Sequence, residues 1–255
     1  MSYECISYEQ SKRIVKVILD RPEKLNALNS RMYAELNDAL DRAENSKEFR
    51  VLIITGSGRA FCSGGDLSEL ENAVGSVEAS QARLRMSHGI ALRLKQLKQP
   101  IIVAVNGDAF GGGCTLALVG DLRVCSDKAR FCLSFIKVGL VPDMGGIYNL
   151  PRLVGIGKAC ELSFFGNVID AVEAERIGLV NKVVPEDEVD KVVSGWAKKL
   201  SESSETAIVL MKQALHKSLN MDFVAELEDE INIQTVCMNS SRAQEGIRAF
   251  LNKTK

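Results

Sequence analysis

Short apolar runs alternate along this chain with longer segments in which apolar residues recur every three or four positions. Ile14, Val15, Val17 and Ile18 crowd β-branched residues into residues 13–19, a density that predicts a strand. Residues 3–8 read as its partner across a polar turn. After Ser30, a candidate N-cap, the residues Met32, Leu36, Ala39, Leu40 and Ala43 keep helical spacing. Residues 51–55 and 101–105 read as short buried strands, with 56–63 as a loop. Leu84, Ile90, Ala91, Leu94 and Leu97 predict a long helix over 79–97, stopped by Gln99-Pro100. Residues 122–126 and 129–133 read as strands. A mostly helical stretch follows, then a helix over 170–178 and a last strand over 179–184 ending at Pro185. Beyond Glu186 the pattern is helical throughout, over about 186–202, 204–219, 222–238 and 240–251. Strands alternating with helices give an α/β class. The shift near 185 divides the chain into a core, 1–185, and a helical section, 186–255. Such a section packs on a partner subunit or covers its own core.

Two of the strand-like runs lead into glycine corners. Residues 101–105 and the turn Asn106-Gly107 precede Gly111-Gly112-Gly113, which lead into Cys114-Thr115-Leu116. Residues 51–55 precede Gly64-Gly65. Glycine lets backbone N–H groups approach a ligand, and a helix N-terminus adds unpaired donors and partial positive charge. Two such corners can aim two donors at one developing negative charge, an oxyanion hole made of main chain. They can equally be two tight turns without chemistry.

Composition narrows the classes. Hydrophobic residues make up 46% of 255, enough for a sizeable core, and the formal net charge of -1 gives no basic excess for nucleic acid or an anionic membrane surface. No apolar run approaches a membrane span. Seven cysteines without a CxxC pair predict reduced thiols in a cytoplasmic setting rather than a disulfide framework. With only His88 and His216, a Cys/His metal site is not expected, and neither histidine lies in a nucleophile motif. Gly56-Ser57-Gly58 lacks the third glycine of a dinucleotide fingerprint, since Phe61 stands there. Arg21 and Lys24 read as solvated, with a phosphate role as the alternative. Asp66 reads as a helix cap and Asp121 as structural. Asp143, amid Val141-Pro142 and Met144-Gly145-Gly146, reads either as a cap or as a carboxyl in an apolar pocket. There its proton affinity would rise and suit it to proton transfer.

Taken together, residues 21–28 (Arg-Pro-Glu-Lys-Leu-Asn-Ala-Leu), 60–67 (Ala-Phe-Cys-Ser-Gly-Gly-Asp-Leu), 100–115 and 139–146 resemble the crotonase family of enoyl-CoA hydratases and isomerases. Gly178-Leu179-Val180 also fits, so the resemblance spans nearly the whole chain. It implies a crotonase-like spiral of ββα turns with a helical C-terminal oligomerisation section that builds trimers or dimers of trimers. It also implies an acyl-CoA thioester as the bound partner, with coenzyme A part of the substrate and no separate cofactor. The family's oxyanion donors fall on the N–H groups of Gly65 and Gly112. Its substrate-contacting segments bring in Lys24, Leu25, Ala27, Phe61, Gly64, Asp66, Leu67, Gly111, Thr115 and Phe135. Lys253 is a candidate for coenzyme A phosphate across a subunit boundary, and the stretch 68–86, including Met86, for shaping the acyl pocket.

The departures from the family pattern matter as much. Thr115 and Phe135 occupy the two positions where family hydratases carry glutamates. Threonine is a poor base near neutral pH and phenylalanine transfers no proton, which argues against hydration by the standard mechanism. Asp143 remains, placed as in the family's isomerases. Residues 134–143 with Leu150-Pro151-Arg152 are similar to those acting on ring epoxides in phenylacetyl-CoA degradation and to 3,2-enoyl-CoA isomerases. The expected function is therefore double-bond migration in an acyl-CoA with Asp143 as the single acid/base. The alternatives are a hydratase with a nonstandard base, an aryl-CoA dehalogenase with Asp143 as nucleophile, and a non-catalytic acyl-CoA-binding subunit.

Overall fold

The computed structural model of the chain describes residues 3–253. A hairpin of β1 (Ile6–Ser11) and β2 (Ile14–Leu19) leads into α1 (Ser30–Glu44). Next come β3 (Val51–Gly56), β4 (Ala60–Cys62), α2 (Leu67–Ala73) and α3 (Val77–Gln96). The same order recurs in β5 (Ile101–Val105), β6 (Asp108–Phe110) and α4 (Gly112–Val119). It recurs again in β7 (Leu122–Ser126), β8 (Arg130–Cys132), α5 (Gly146–Val154) and α6 (Ile156–Phe165). The chain continues through β9 (Ile169–Asp170), α7 (Ala171–Arg176), β10 (Lys182–Val184) and α8 (Val189–Glu202). It ends in α9 (Glu205–Ser218), α10 (Phe223–Met238) and α11 (Ser241–Lys253).

After the β1–β2 hairpin, each of the three ββα turns from β3 to α6 gives its first strand to one sheet and its second to another. The larger sheet runs β1-β2-β3-β5-β7-β10 and the smaller β4-β6-β8-β9. All pairs are parallel except β1 with β2 and β8 with β9. The expected ββα spiral is thus the observed architecture.

The unbroken apolar runs of β3 and β5 follow from burial on both faces. Leu52, Ile54, Ile101 and Val103 face the main core with α1, α3 and α4. Val51, Ile53, Ile102 and Ala104 face a second core closed by Val189, Val193 and Ala197 of α8. The helical section beyond 185 therefore begins as a cover for the sheet.

Three sequence readings need correction. β1 lies three residues later than expected, because Glu9, Gln10 and Ser11 form the exposed half of an edge strand and carry no apolar signal. Ser30 is the first helical residue; Asn29 is the cap and accepts from Met32 N at 2.8 Å. β4 and β6 lie in stretches read as loop and turn, since three-residue strands show no alternation.

The terminal helices form an arm with little core of its own. α9 and α10 contain no buried residue, and Met211, Leu215, Phe223, Val224, Ile231 and Val236 are exposed. Asp121, at the start of β7, ties this arm to the sheet. It accepts from Ile101 N at 2.8 Å, pairs with Lys212 Nζ at 2.7 Å and meets His216 Nε2 at 2.9 Å. Burial opposes ionisation of Asp121, but His216, Lys212 and the Ile101 N–H outweigh it and hold the carboxyl below its ordinary range. Among the described residues, no helix is long and apolar enough to cross a membrane.

Candidate active site

A cleft of about 570 Å³ opens where the two glycine corners meet the 134–144 segment. The first corner leaves β4 at Cys62. Gly64 has φ +107°, and a Cβ there would come within 2.9 Å of Phe110 O and 3.2 Å of Gly112 N. Only glycine allows this backbone-on-backbone approach. The segment after Arg21 pins the corner from outside: Leu28 N donates to Gly64 O at 2.7 Å and Asp66 N to Leu28 O at 2.8 Å. Those bonds bracket Gly65 and leave its N–H without an acceptor among the described residues.

The second corner leaves β6 at Gly111, whose φ is +49° and whose N–H donates to Cys132 O at 2.8 Å. Gly112 then opens α4, where the first N–H groups have no intrahelical acceptor. A Cβ on Gly112 would lie 3.5 Å from Gly65 N, so the two free donors are close neighbours. A Cβ on Gly113 would overlap the Cys62 carbonyl. Glycine at 113 is therefore what lets α4 seat against β4.

Asp143 lines the same cleft. It precedes Met144, a buried residue held at φ +48°, and its carbonyl accepts from Gly146 N at 2.8 Å. α5 is capped by Gly145, so the capping alternative for the Asp143 side chain does not hold. Asp143 Oδ1 is buried with no hydrogen-bond partner. Desolvation raises its proton affinity above the ordinary carboxylate range, against the smaller opposing pull of His88 and Arg83.

The other expected site residues divide. Lys24, Ala27, Gly64, Asp66, Leu67, Gly111 and Phe135 line the cleft. Leu25, Phe61 and Thr115 are absent from its lining. Phe61 is fully buried in the main core. Thr115 is fully buried, and its hydroxyl donates to Gly112 O at 3.1 Å. Leu25 adopts φ +50° at the end of a single 3-10 turn. Asp66 is committed to the fold as the cap of α2. Its carboxyl is held low first by the Ser68 hydroxyl, then by Arg21 at 2.9 Å. Arg21 is not solvated as expected, because it bridges Asp66 and Ala27 O. Buried Asn26 spans from Arg21 N to Ala60 O and Phe61 O, which ties that segment to β4. The side chain of Lys253 lies outside the described residues.

Sequence reasoning missed Tyr33, Ser134, Lys137, Val138, Leu140 and Met144, all of which line the cleft. Tyr33 is next to Met32 in the apolar stripe of α1, the signal that could have found it. Of 68–86, Ser68, Leu70 and Arg83 reach the cleft, while Met86 is exposed elsewhere. Cys62 and Cys114 are buried beside the corners. Desolvation pushes both thiols up to about 12, so they remain protonated.

The arrangement is two backbone donors side by side, one carboxyl with a buried, unpaired oxygen and an apolar wall in a single cleft. It suits stabilisation of an oxyanion next to a carbon whose proton is moved. Comparison with known proteins gives the family. Residues 9–255 match the family model described as enoyl-CoA hydratase/isomerase. The chain is 34% identical to a crotonyl-CoA hydratase of Syntrophomonas wolfei, covering 100% of this chain and 98% of that protein. It is 33% identical to a 1,2-epoxyphenylacetyl-CoA isomerase of Escherichia coli, covering 98% and 96%. The crystal structure of an enoyl-CoA hydratase from Bacillus anthracis superposes with a TM-score of 0.92 at 32% identity, covering 98% of this chain and 97% of that one. The chain belongs to the enoyl-CoA hydratase/isomerase family, the crotonase superfamily.

Proposed function

We propose that this chain is an acyl-CoA isomerase that moves a carbon–carbon double bond, from 3-enoyl to 2-enoyl or within a ring-derived acyl group. The thioester oxygen accepts hydrogen bonds from Gly65 and Gly112 N–H. The Asp143 carboxylate takes a proton from C2, and the electron pair moves through the carbonyl to give a dienolate. The same group, now neutral, returns the proton at C4. One base suffices because no water is added. Phe135 keeps the cleft dry, which sustains the raised proton affinity of Asp143.

The observation that carries this reading is the buried, unpartnered Oδ1 of Asp143 in a cleft where, among the described residues, no glutamate lines the wall. A second reading, hydration with Asp143 as a nonstandard base, is favoured by the hydratase names of relatives such as the Syntrophomonas wolfei protein. The test is a paired assay with 3-enoyl- and 2-enoyl-CoA of equal chain length, products separated chromatographically. Interconversion without hydroxyacyl-CoA is expected. Hydroxyacyl-CoA as the main product would overturn the isomerase in favour of the hydratase.

The apolar exposure of α9 and α10 supports assembly of this chain into a homotrimer or dimer of trimers. Sedimentation equilibrium at micromolar concentration is expected to give three or six copies. A monodisperse monomer would refute that assembly.

A further inference from the structure

Arg83 reaches from α3 to the first glycine corner. A Cβ built on Gly65 would meet its Nη2 at 2.5 Å and its Cζ at 3.6 Å, so the guanidinium lies directly over that residue. Arg83 Nε is buried with no hydrogen-bond partner, and the guanidinium joins no ion pair among the described residues. The neighbouring carboxylates are occupied: Asp66 holds Arg21, and Glu69 accepts from Ser30 N and Oγ at 2.8 Å each. Asp143 lines the same cleft yet makes no ion pair with it.

A guanidinium carries five donors in a planar fork that matches a carboxylate in bidentate fashion. The Nε of Arg83 is buried and has given up hydration without a hydrogen bond in return. Lys24 and Lys137 are the exposed cations of the cleft and suit the phosphates of coenzyme A. Arg83 is less exposed and stands beside a proposed thioester-binding residue.

We propose that Arg83 binds a carboxylate on the acyl group, so that the preferred substrate is the mono-CoA thioester of a dicarboxylic acid. This rests on the acyl-CoA reading of the cleft. Asp143 and Arg83 then divide the substrate between them, one handling a proton and the other an anion, which explains why they leave each other unpaired.

The test is calorimetric binding with saturated thioesters, which cannot be isomerised. Each acyl-CoA of four to eight carbons is compared with the dicarboxylic mono-CoA thioester of the same carbon number, on wild type and Arg83→Met. At the best-fitting length, wild type is expected to bind the dicarboxylic thioester about ten- to a hundredfold tighter, the range of a charge-assisted hydrogen bond. Arg83→Met is expected to lose that preference, weakening the dicarboxylic thioester at least tenfold more than the plain one, whose remaining binding reports an intact fold. Equal binding of the two classes by wild type would overturn the inference. So would an equal loss for both classes in Arg83→Met, because Arg83 would then act on the thioester common to them. No binding of coenzyme A or of any thioester would instead sink the acyl-CoA reading itself.

Discussion

Asp143→Asn is expected to bind acyl-CoA normally and to lose double-bond migration by about 10²–10⁴-fold, the usual contribution of a positioned general base. The amide is nearly isosteric and cannot accept the proton, so the loss falls on kcat rather than on KM. The pH behaviour separates this from a structural defect. The base must be ionised, and desolvation holds Asp143 above the ordinary carboxylate range. Wild-type kcat/KM should therefore rise with pH through that elevated value, while the residual activity of the variant stays flat. Stability runs the opposite way. A carboxyl whose folded pKa exceeds its unfolded one favours the fold fully below the unfolded value. That advantage is lost as pH rises to the folded value. At neutral pH the asparagine variant should thus be no less stable than wild type in thermal unfolding. Unchanged turnover in Asp143→Asn would remove Asp143 from the mechanism.

Gly113→Ala should damage fold and activity together, whereas Gly112→Ala, one residue earlier, should leave the fold intact. At 113 the added methyl would overlap the backbone carbonyl of Cys62, so α4 must back away from β4. Overpacking of this kind typically costs about 1–3 kcal/mol. It also separates the Gly65 and Gly112 donors, and loss of one oxyanion donor is worth roughly 10²–10³ in kcat. At 112 the methyl meets its neighbours at 3.5–3.7 Å, ordinary contact. There alanine is the better helix former than glycine, by as much as ~1 kcal/mol. Thermal unfolding and kcat measured on both variants decide the matter. A wild-type Tm and kcat in Gly113→Ala would mean that the packing of α4 on β4 does not set the donors.

The large sheet was legible because its central strands are buried on both faces and so read as plain apolar runs. The corners were legible because glycine is required where backbone approaches backbone. What stayed hidden has physical reasons. β4 and β6 are three residues long. Phe61 adjoins the site in sequence but turns into the core, and no one-dimensional pattern distinguishes a strand's two faces at that length. Arg83 is 18 residues from Gly65 in sequence, and only the fold places it over that glycine. Arg21 misled in the same way, since its partner Asp66 is 45 residues distant.

Strand order has a consequence for how the chain is made. In both sheets the spatial order repeats the order of synthesis, β1-β2-β3-β5-β7-β10 and β4-β6-β8-β9. No strand has to insert between two that are already paired. A nascent chain leaving the ribosome can add each strand to one growing edge, and every residue lining the cleft has been synthesised by Met144. The site can therefore take shape while more than two-fifths of the polypeptide is still to be translated, and the terminal arm is added last.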